Sequence, residues 1–217
     1  TTTTFAAIGQ TKIDLAPDAR EIVDALVAGR TPNVFVPEPG FKKLFNGQDL
    51  AGWAGRPEHW SVQAGAIIGV TTKENPARGN NFLIAKDGDK NLIVDDFELR
   101  FSYRIVANND SGFANSGMQY RSKDMGNFVV GGYQGDFEAG STFSGILYDE
   151  AGGAGGRGIM AQRGELAHWS ADGKKTVTGQ LGKSEDIQAN IKANDWNDYV
   201  IIAQGNRLQH FINGIQT

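Results

Sequence analysis

Two short runs carry side chains able to hold a polar ligand and to move protons: Asn115-Ser-Gly-Met-Gln-Tyr-Arg121 and, after a short loop, Gly131-Gly-Tyr-Gln-Gly-Asp-Phe-Glu138. Read as strands, whose side chains alternate between faces, the first puts Met118 and Tyr120 on one side and Gln119 and Arg121 on the other. The second sends Tyr133 and Phe137 to one face and Gln134, Asp136 and Glu138 to the opposite one. If the two strands are neighbours, their polar faces combine two amides, a guanidinium and two carboxylates. That set suits a polyhydroxylated ligand. A bland alternative exists, because the outer face of an antiparallel sheet is usually polar and wet.

The elements that must position these residues are strands. Twenty-nine glycines and four tryptophans among 217 residues point to an all-β domain with many tight turns. Phe97 to Ile105 is the clearest strand, with Phe97, Leu99, Phe101, Tyr103 and Ile105 alternating with Glu98, Arg100, Ser102 and Arg104. Trp60 to Val70 reads as a hairpin around Gln63-Ala64-Gly65, and Phe41 to Phe45 as a further strand. Later strands are expected at Gly117 to Arg121, Phe128 to Phe137, Gly145 to Tyr148, Ile159 to Arg163, on both sides of Asp172-Gly173, and at Tyr199 to Ala203 and Arg207 to Ile212. Strands this numerous and this closely spaced predict a sandwich or jelly roll of two stacked sheets. One helix is expected, Pro17 to Ala28, followed by an extended linker with Pro32, Pro37 and Pro39. Residues 1–39 therefore read as a helical appendage and linker with a loose start at Thr1 to Thr4, and residues 40–217 as the β domain.

Composition excludes several functions. The net charge of -4, with its basic residues scattered, prepares no nucleic-acid surface. Without cysteine there is neither a disulfide framework nor a thiolate metal site, and His59, His168 and His210 match no metal-binding spacing. No apolar run reaches the length of a membrane-spanning helix. Gly153 to Gly158 spells GxGxxG but lacks the helix a phosphate cradle needs, so it reads as a loop carrying Arg157 towards whatever the sheet binds. Asp87 to Glu98 imitates a calcium loop, yet its sixth position is Leu92 instead of glycine. Trp53, in a turn-rich setting, is a candidate for stacking on a sugar face. His210 shares a face with Leu208 and Ile212, which favours a core role over a catalytic one.

Several signposts occur together in one order: Leu44-Phe-Asn-Gly-Gln-Asp-Leu50 with Trp53, Trp60-Ser-Val-Gln-Ala-Gly-Ala-Ile-Ile-Gly69, Phe97-Glu-Leu99, Asn115-Ser-Gly117, Gly132-Tyr-Gln134, Trp196-Asn197 and Gly205-Asn-Arg207 ending in Asn213-Gly214. In these the sequence resembles the domain-of-unknown-function 1080 proteins, the 3-keto-disaccharide hydrolase domain. The resemblance implies a concanavalin A-like jelly roll, a periplasmic or secreted location, and an enzyme cleaving 3-keto-glycosides by β-elimination and water addition. A non-catalytic carbohydrate-binding module on the same fold is the competing expectation. Under the enzymatic reading Asp136 is the base, Glu150 the acid or second carboxylate, and Arg121 with Arg157 the enolate stabilisers. His210 is a reserve base, Gln119, Tyr133 and Gln134 hold sugar hydroxyls, and Trp53 stacks on the ring. No cofactor is expected, although a divalent cation chelated by substrate is compatible with the chemistry. Many relatives read Gly-Tyr-Glu where this chain has Gly132-Tyr133-Gln134, so that glutamate's role does not carry over and Asp136 is the available acid. The family also continues beyond the Asn-Gly turn, so further sequence or a second copy is expected to complete an open edge.

Overall fold

The alternation in the sequence becomes two antiparallel sheets packed face to face in the computed structural model, which describes residues 2–8, 39–150 and 156–217, with backbone alone for 2–8. The larger sheet runs in the order β16 (Ile215–Gln216), β15 (Arg207–Ile212), β14 (Asn197–Gln204), β7 (Phe97–Val106), β1 (Thr2–Ile8), β4 (Ala66–Val70) and β3 (Trp60–Gln63). The smaller runs β11 (Gly158–Ala161), β10 (Leu147–Asp149), β9 (Val129–Glu138) and β8 (Asn115–Gly126). A hairpin of β12 (Glu165–Trp169) and β13 (Lys175–Gln180), a small sheet of β2 (Trp53–Ala54), β5 (Ile84–Asp87) and β6 (Lys90–Asn91), and one short helix, α1 (Ser184–Gln188), complete the described residues. The chain is thus an all-β jelly-roll sandwich.

The hydrophobic phase of each strand fixes which face turns inward. Phe101 and Tyr103 of β7, Tyr199 and Ile201 of β14 and Phe137 of β9 are all fully buried between the sheets. Tyr103 stacks on Phe137 at 4.2 Å between ring centres, and Phe101 on Tyr199 at 5.1 Å. Gly135 lets the sheets close, because a Cβ there would lie 2.8 Å from the Tyr199 hydroxyl. The β3–β4 hairpin turns at Ala64 and Gly65, both at positive φ, as a two-residue hairpin requires.

Two expectations change, the strand at Phe41 to Phe45 and the loose start, and one, the acidic turn, is borne out. Phe41 to Phe45 is irregular, although Phe45 is buried in the core. The acidic stretch that imitates a calcium loop is a hairpin in which Asp87 pairs with Lys90, and Asn91 donates to Asp124 at 2.8 Å. Thr2–Ile8 is no loose start: it pairs antiparallel with both β4 and β7, within the same sheet as the later strands. Threonine, phenylalanine and isoleucine suit a pleated surface, which explains the strand once neighbours are present on both sides. The expected Pro17 to Ala28 helix and most of the linker lie outside the described residues.

The core makes a direct prediction. Phe137→Ala removes the ring that touches Phe101, Tyr103 and Tyr199 together, and should cost about 3–5 kcal/mol of stability. The urea unfolding midpoint measures it.

Candidate active site

Register brings the two polar runs together. On the outer face of the smaller sheet Gln119 of β8 lies opposite Gln134 of β9, and Gly117 opposite Asp136. Tyr148 of β10 flanks Gln134 from the other side. Glu150 follows β10, its amide donating to the Gly132 carbonyl at 2.8 Å. This face is not the wet surface of an ordinary antiparallel sheet. Gln134, Asp136 and Glu138 are only 7%, 5% and 6% exposed.

A directed chain of hydrogen bonds crosses the face. Ser122 Oγ donates to Gln119 Oε1 at 3.0 Å, Gln119 Nε2 donates to Gln134 Oε1 at 2.8 Å, and Gln134 Nε2 donates to Asp136 Oδ1. Each amide is thereby oriented by the one before it, and the carboxylate receives a fixed donor on one oxygen. Gly117 makes room for this arrangement, since a Cβ there would sit 2.5 Å from the Gln134 side chain. Glu138 is handled differently: its Oε1 accepts from the backbone amides of Thr142 and Phe143 and so ties down the loop after β9. Arg163 pins that loop, donating to the carbonyls of Ser144 at 2.8 Å and Ser141 at 2.9 Å.

Burial dominates the electrostatics of Asp136. Loss of water pushes its carboxyl up to about 7; the Gln134 amide opposes this, Glu150 adds to it, the Asn115 amide opposes it and Glu138 adds to it. No arginine or lysine pairs with Asp136, Glu138 or Glu150 among the described ion pairs. The Tyr148 phenol is also raised, by burial first and then by Glu150, Asp136 and Asp149, so it remains a hydrogen-bond donor at neutral pH. Among the described residues no group of three or more His, Cys, Asp or Glu side chains is arranged to hold a metal ion.

The sequence model of the 3-keto-alpha-glucoside-1,2-lyase-like domain matches residues 40–217, and so takes in every element of this face. The chain belongs to that family. No curated protein matches the sequence. In this lyase-like domain the structure brings Asp136, Glu150, Gln119 and Gln134 together; Arg121 and Trp53 line the adjoining cavity but are bonded elsewhere, and Tyr133, Arg157 and His210 lie off this face.

Arg121 points away from Asp136. Its guanidinium donates to the Asp95 carbonyl at 2.9 Å, to the Asp96 carboxylate at 3.0 Å and to the Gly205 carbonyl. The cause is a break in alternation: register shifts between Tyr120 and Lys123, and Arg121 itself sits at φ 46°. Arg157 is bound to Asp149 at 2.6 Å and to the Tyr133 hydroxyl at 3.2 Å, with its guanidinium over the rings of Tyr133 and Trp169. Asp149 pairs with Tyr133 across β10 and β9, one residue out of phase with Gln134, so Tyr133 and Arg157 belong to the other face. His210 lies wholly in the core, with Nε2 2.9 Å from the Tyr120 hydroxyl and Nδ1 3.2 Å from that of Tyr199. Burial pushes it down to about 4, so it stays neutral and structural. Trp53 donates its indole N–H to the Leu44 carbonyl at 3.1 Å and packs against the core, with part of its ring lining a cavity.

The sequence reading left out Asn115, Ser122 and Tyr148. Asn115 is two residues from Gly117 and in phase with Gln119, a signal present in the same alternation. Tyr148 is likewise in phase with Glu150. Ser122 gave no such signal, because it follows the break at Arg121.

The buried carboxyl links pH to stability. Unfolded, Asp136 releases its proton at the ordinary 3.8; folded, it holds it to about 7. Between those values the folded chain binds the extra proton, so raising pH through this window weakens the fold. Asp136→Asn abolishes that dependence. Its urea midpoint should match the parent near pH 4 and exceed it progressively up to about pH 7, the gap then levelling off.

Proposed function

We propose that the protein cleaves glycosides already oxidised to a ketone at sugar carbon 3, releasing the aglycone from carbon 1 by β-elimination. The observation that carries this reading is a buried carboxyl held at about 7, oriented by an amide and beside a second carboxylate, on a chain of the 3-keto-alpha-glucoside-1,2-lyase-like family. A general base works best when its pKa lies near the working pH. The ketone acidifies the hydrogen on carbon 2, so a carboxylate suffices to remove it.

Asp136 takes that proton, and the electrons of the C–H bond pass into the enolate at carbons 2 and 3. The enolate collapses, the bond from carbon 1 to the glycosidic oxygen breaks, and its electron pair leaves with the aglycone. Asp136, now protonated, or Glu150 returns a proton to the departing oxygen. Water then adds across the resulting carbon 1 to carbon 2 double bond, so the net change is hydrolysis. With Arg121 and Arg157 committed elsewhere, the donors left for the enolate oxygen are the second N–H of Gln134 and the Tyr148 hydroxyl. Gln119 lines the same cavity as Gln134 and Glu150 and contributes to holding sugar hydroxyls.

The test is aglycone release from a 3-keto-glucoside and from its unoxidised parent, with absorbance of the transient enone followed in parallel. Release from the keto sugar alone, lost by about a hundredfold or more in Asp136→Asn, is the expected result. Release from the parent would instead make Asp136 and Glu150 an ordinary glycosidase pair. Binding of unmodified oligosaccharides without turnover would make the domain a binding module.

A second outcome concerns pH. Because the base must be ionised, kcat/KM should fall as pH drops below about 7. Glu150→Gln removes a charge that holds Asp136 up, so this acid limb should move to lower pH in the variant. An unmoved limb would show that another group is the base.

A further inference from the structure

The cavity that takes in Gln119, Gln134 and Glu150 encloses about 1010 Å³. That is at the top of the roughly 300–1,000 Å³ range for drug-sized ligands, and far more than one sugar ring needs. Its shape follows from the unequal sheets. The smaller sheet ends at β8, whereas the larger continues beyond β7 through β1, β4 and β3. Both faces of β8 therefore line the cavity, Gly117 and Gln119 from the outer side and Met118 and Tyr120 from the inner. The space wraps round the free edge of the strand and enters the gap between the sheets.

Away from the polar corner much of the wall is apolar, with Leu44, Trp53, Trp60, Leu83, Phe97 and Leu99 alongside Thr71, Asn80 and Asn81. The two indoles offer little to hydroxyl groups, since Trp53 Nε1 already donates to the Leu44 carbonyl and Trp60 Nε1 to Asn81 Oδ1 at 3.4 Å. Four of the charged groups in the lining are engaged, Arg121 with Asp96, Glu98 with Arg100, and Asp124 with Asn91, while Lys42 is exposed. At the rim Ile93 and Phe113 are 89% and 53% exposed. A second sugar placed against these rings would give up water and recover few hydrogen bonds, Asn81 Nδ2 beside Trp60 being a free donor. A planar apolar group would gain about 25 cal/mol for each Å² of apolar surface removed from water, with ring contacts in addition.

We infer that this wall is an aglycone subsite, and that it selects an aromatic, apolar aglycone on carbon 1 of the 3-keto sugar over a second sugar. The inference rests on the elimination reading for the sugar end of the cavity, and on the walls alone for the aglycone end.

The experiment compares 2-naphthylmethyl 3-keto-glucoside, whose alkoxide leaving group is no better than a sugar's, with a 3-keto-disaccharide of two glucose units, and titrates the protein with free 2-naphthol by calorimetry. The expected result is a preference for the naphthyl substrate of about tenfold or more in kcat/KM, the scale that apolar pockets supply. The double variant Ile93→Ser, Phe113→Ser changes only exposed side chains and so should fold; the preference should shrink in it, through KM, and naphthol binding should weaken. Equal or better cleavage of the disaccharide overturns the subsite while leaving the elimination reading intact. If neither substrate is cleaved, the elimination reading fails and the titration decides the subsite by itself. Saturable naphthol binding that weakens in the double variant upholds the apolar wall, and absence of binding overturns it.

Discussion

Strand β9 is buried on both faces, and the rest of the structure answers to that constraint. Its inner side chains close the aromatic core, where Phe137 meets three rings. Its outer side chains are polar yet almost as deeply enclosed. A strand with two buried faces usually reads as a continuous apolar run. Here one face is apolar and the other holds an amide and two carboxylates, so each polar group needs a partner supplied by the fold. Two glycines are part of the answer. Gly135 admits Tyr199 to the inner face, and Gly117 admits the Gln134 side chain to the outer one.

How completely each buried polar group is satisfied separates structure from chemistry. His210 has a tyrosine hydroxyl at each ring nitrogen and nothing left to offer a substrate. Glu138 accepts two backbone amides and serves as the anchor of a loop. Arg163 spends its guanidinium on three carbonyls. Asp136 is the exception: amides address it, no cation pairs with it among the described residues, and burial holds its carboxyl near 7. Fully partnered groups of this kind make a unique core. A partly partnered one stores a difference in proton affinity that a reaction can use.

The sequence revealed the fold wherever alternation was regular. The nine-residue pattern from Phe97 to Ile105 is β7 almost to the residue, and the in-phase pair Gln119 and Gln134 does lie across one register position. It misled where alternation broke. Arg121 sits one step beyond Gln119 in phase, but a bulge turns its side chain towards Asp95, Asp96 and Gly205. Arg157 was placed by its loop and not by a strand, and no pattern warned that Asp149 would capture it. The apolar phase around His210 indicated a core residue, and its 4% exposure bears that out. Thr2–Ile8 was unreadable as a strand because its evidence is non-local: both its partners lie more than sixty residues further on.

That no described cation pairs with Asp136 bears on which reaction such a site favours. A double-displacement glycosidase divides the work between an ionised nucleophile and a raised carboxyl that serves as acid, and Asp136 near 7 fits only the second role. The proposed elimination asks one group to serve first as base and then as acid. Its base must accept a proton in one step and be able to surrender it in the next, which is easiest when its two forms are close in free energy. Burial, the like charges of Glu150 and Glu138 and the opposing amides of Gln134 and Asn115 bring Asp136 to that balance. The same low-polarity surroundings strengthen any donor aimed at the enolate oxygen. An arginine at that position would lower the Asp136 carboxyl; with Arg121 and Arg157 bonded to other partners, burial is left to set it.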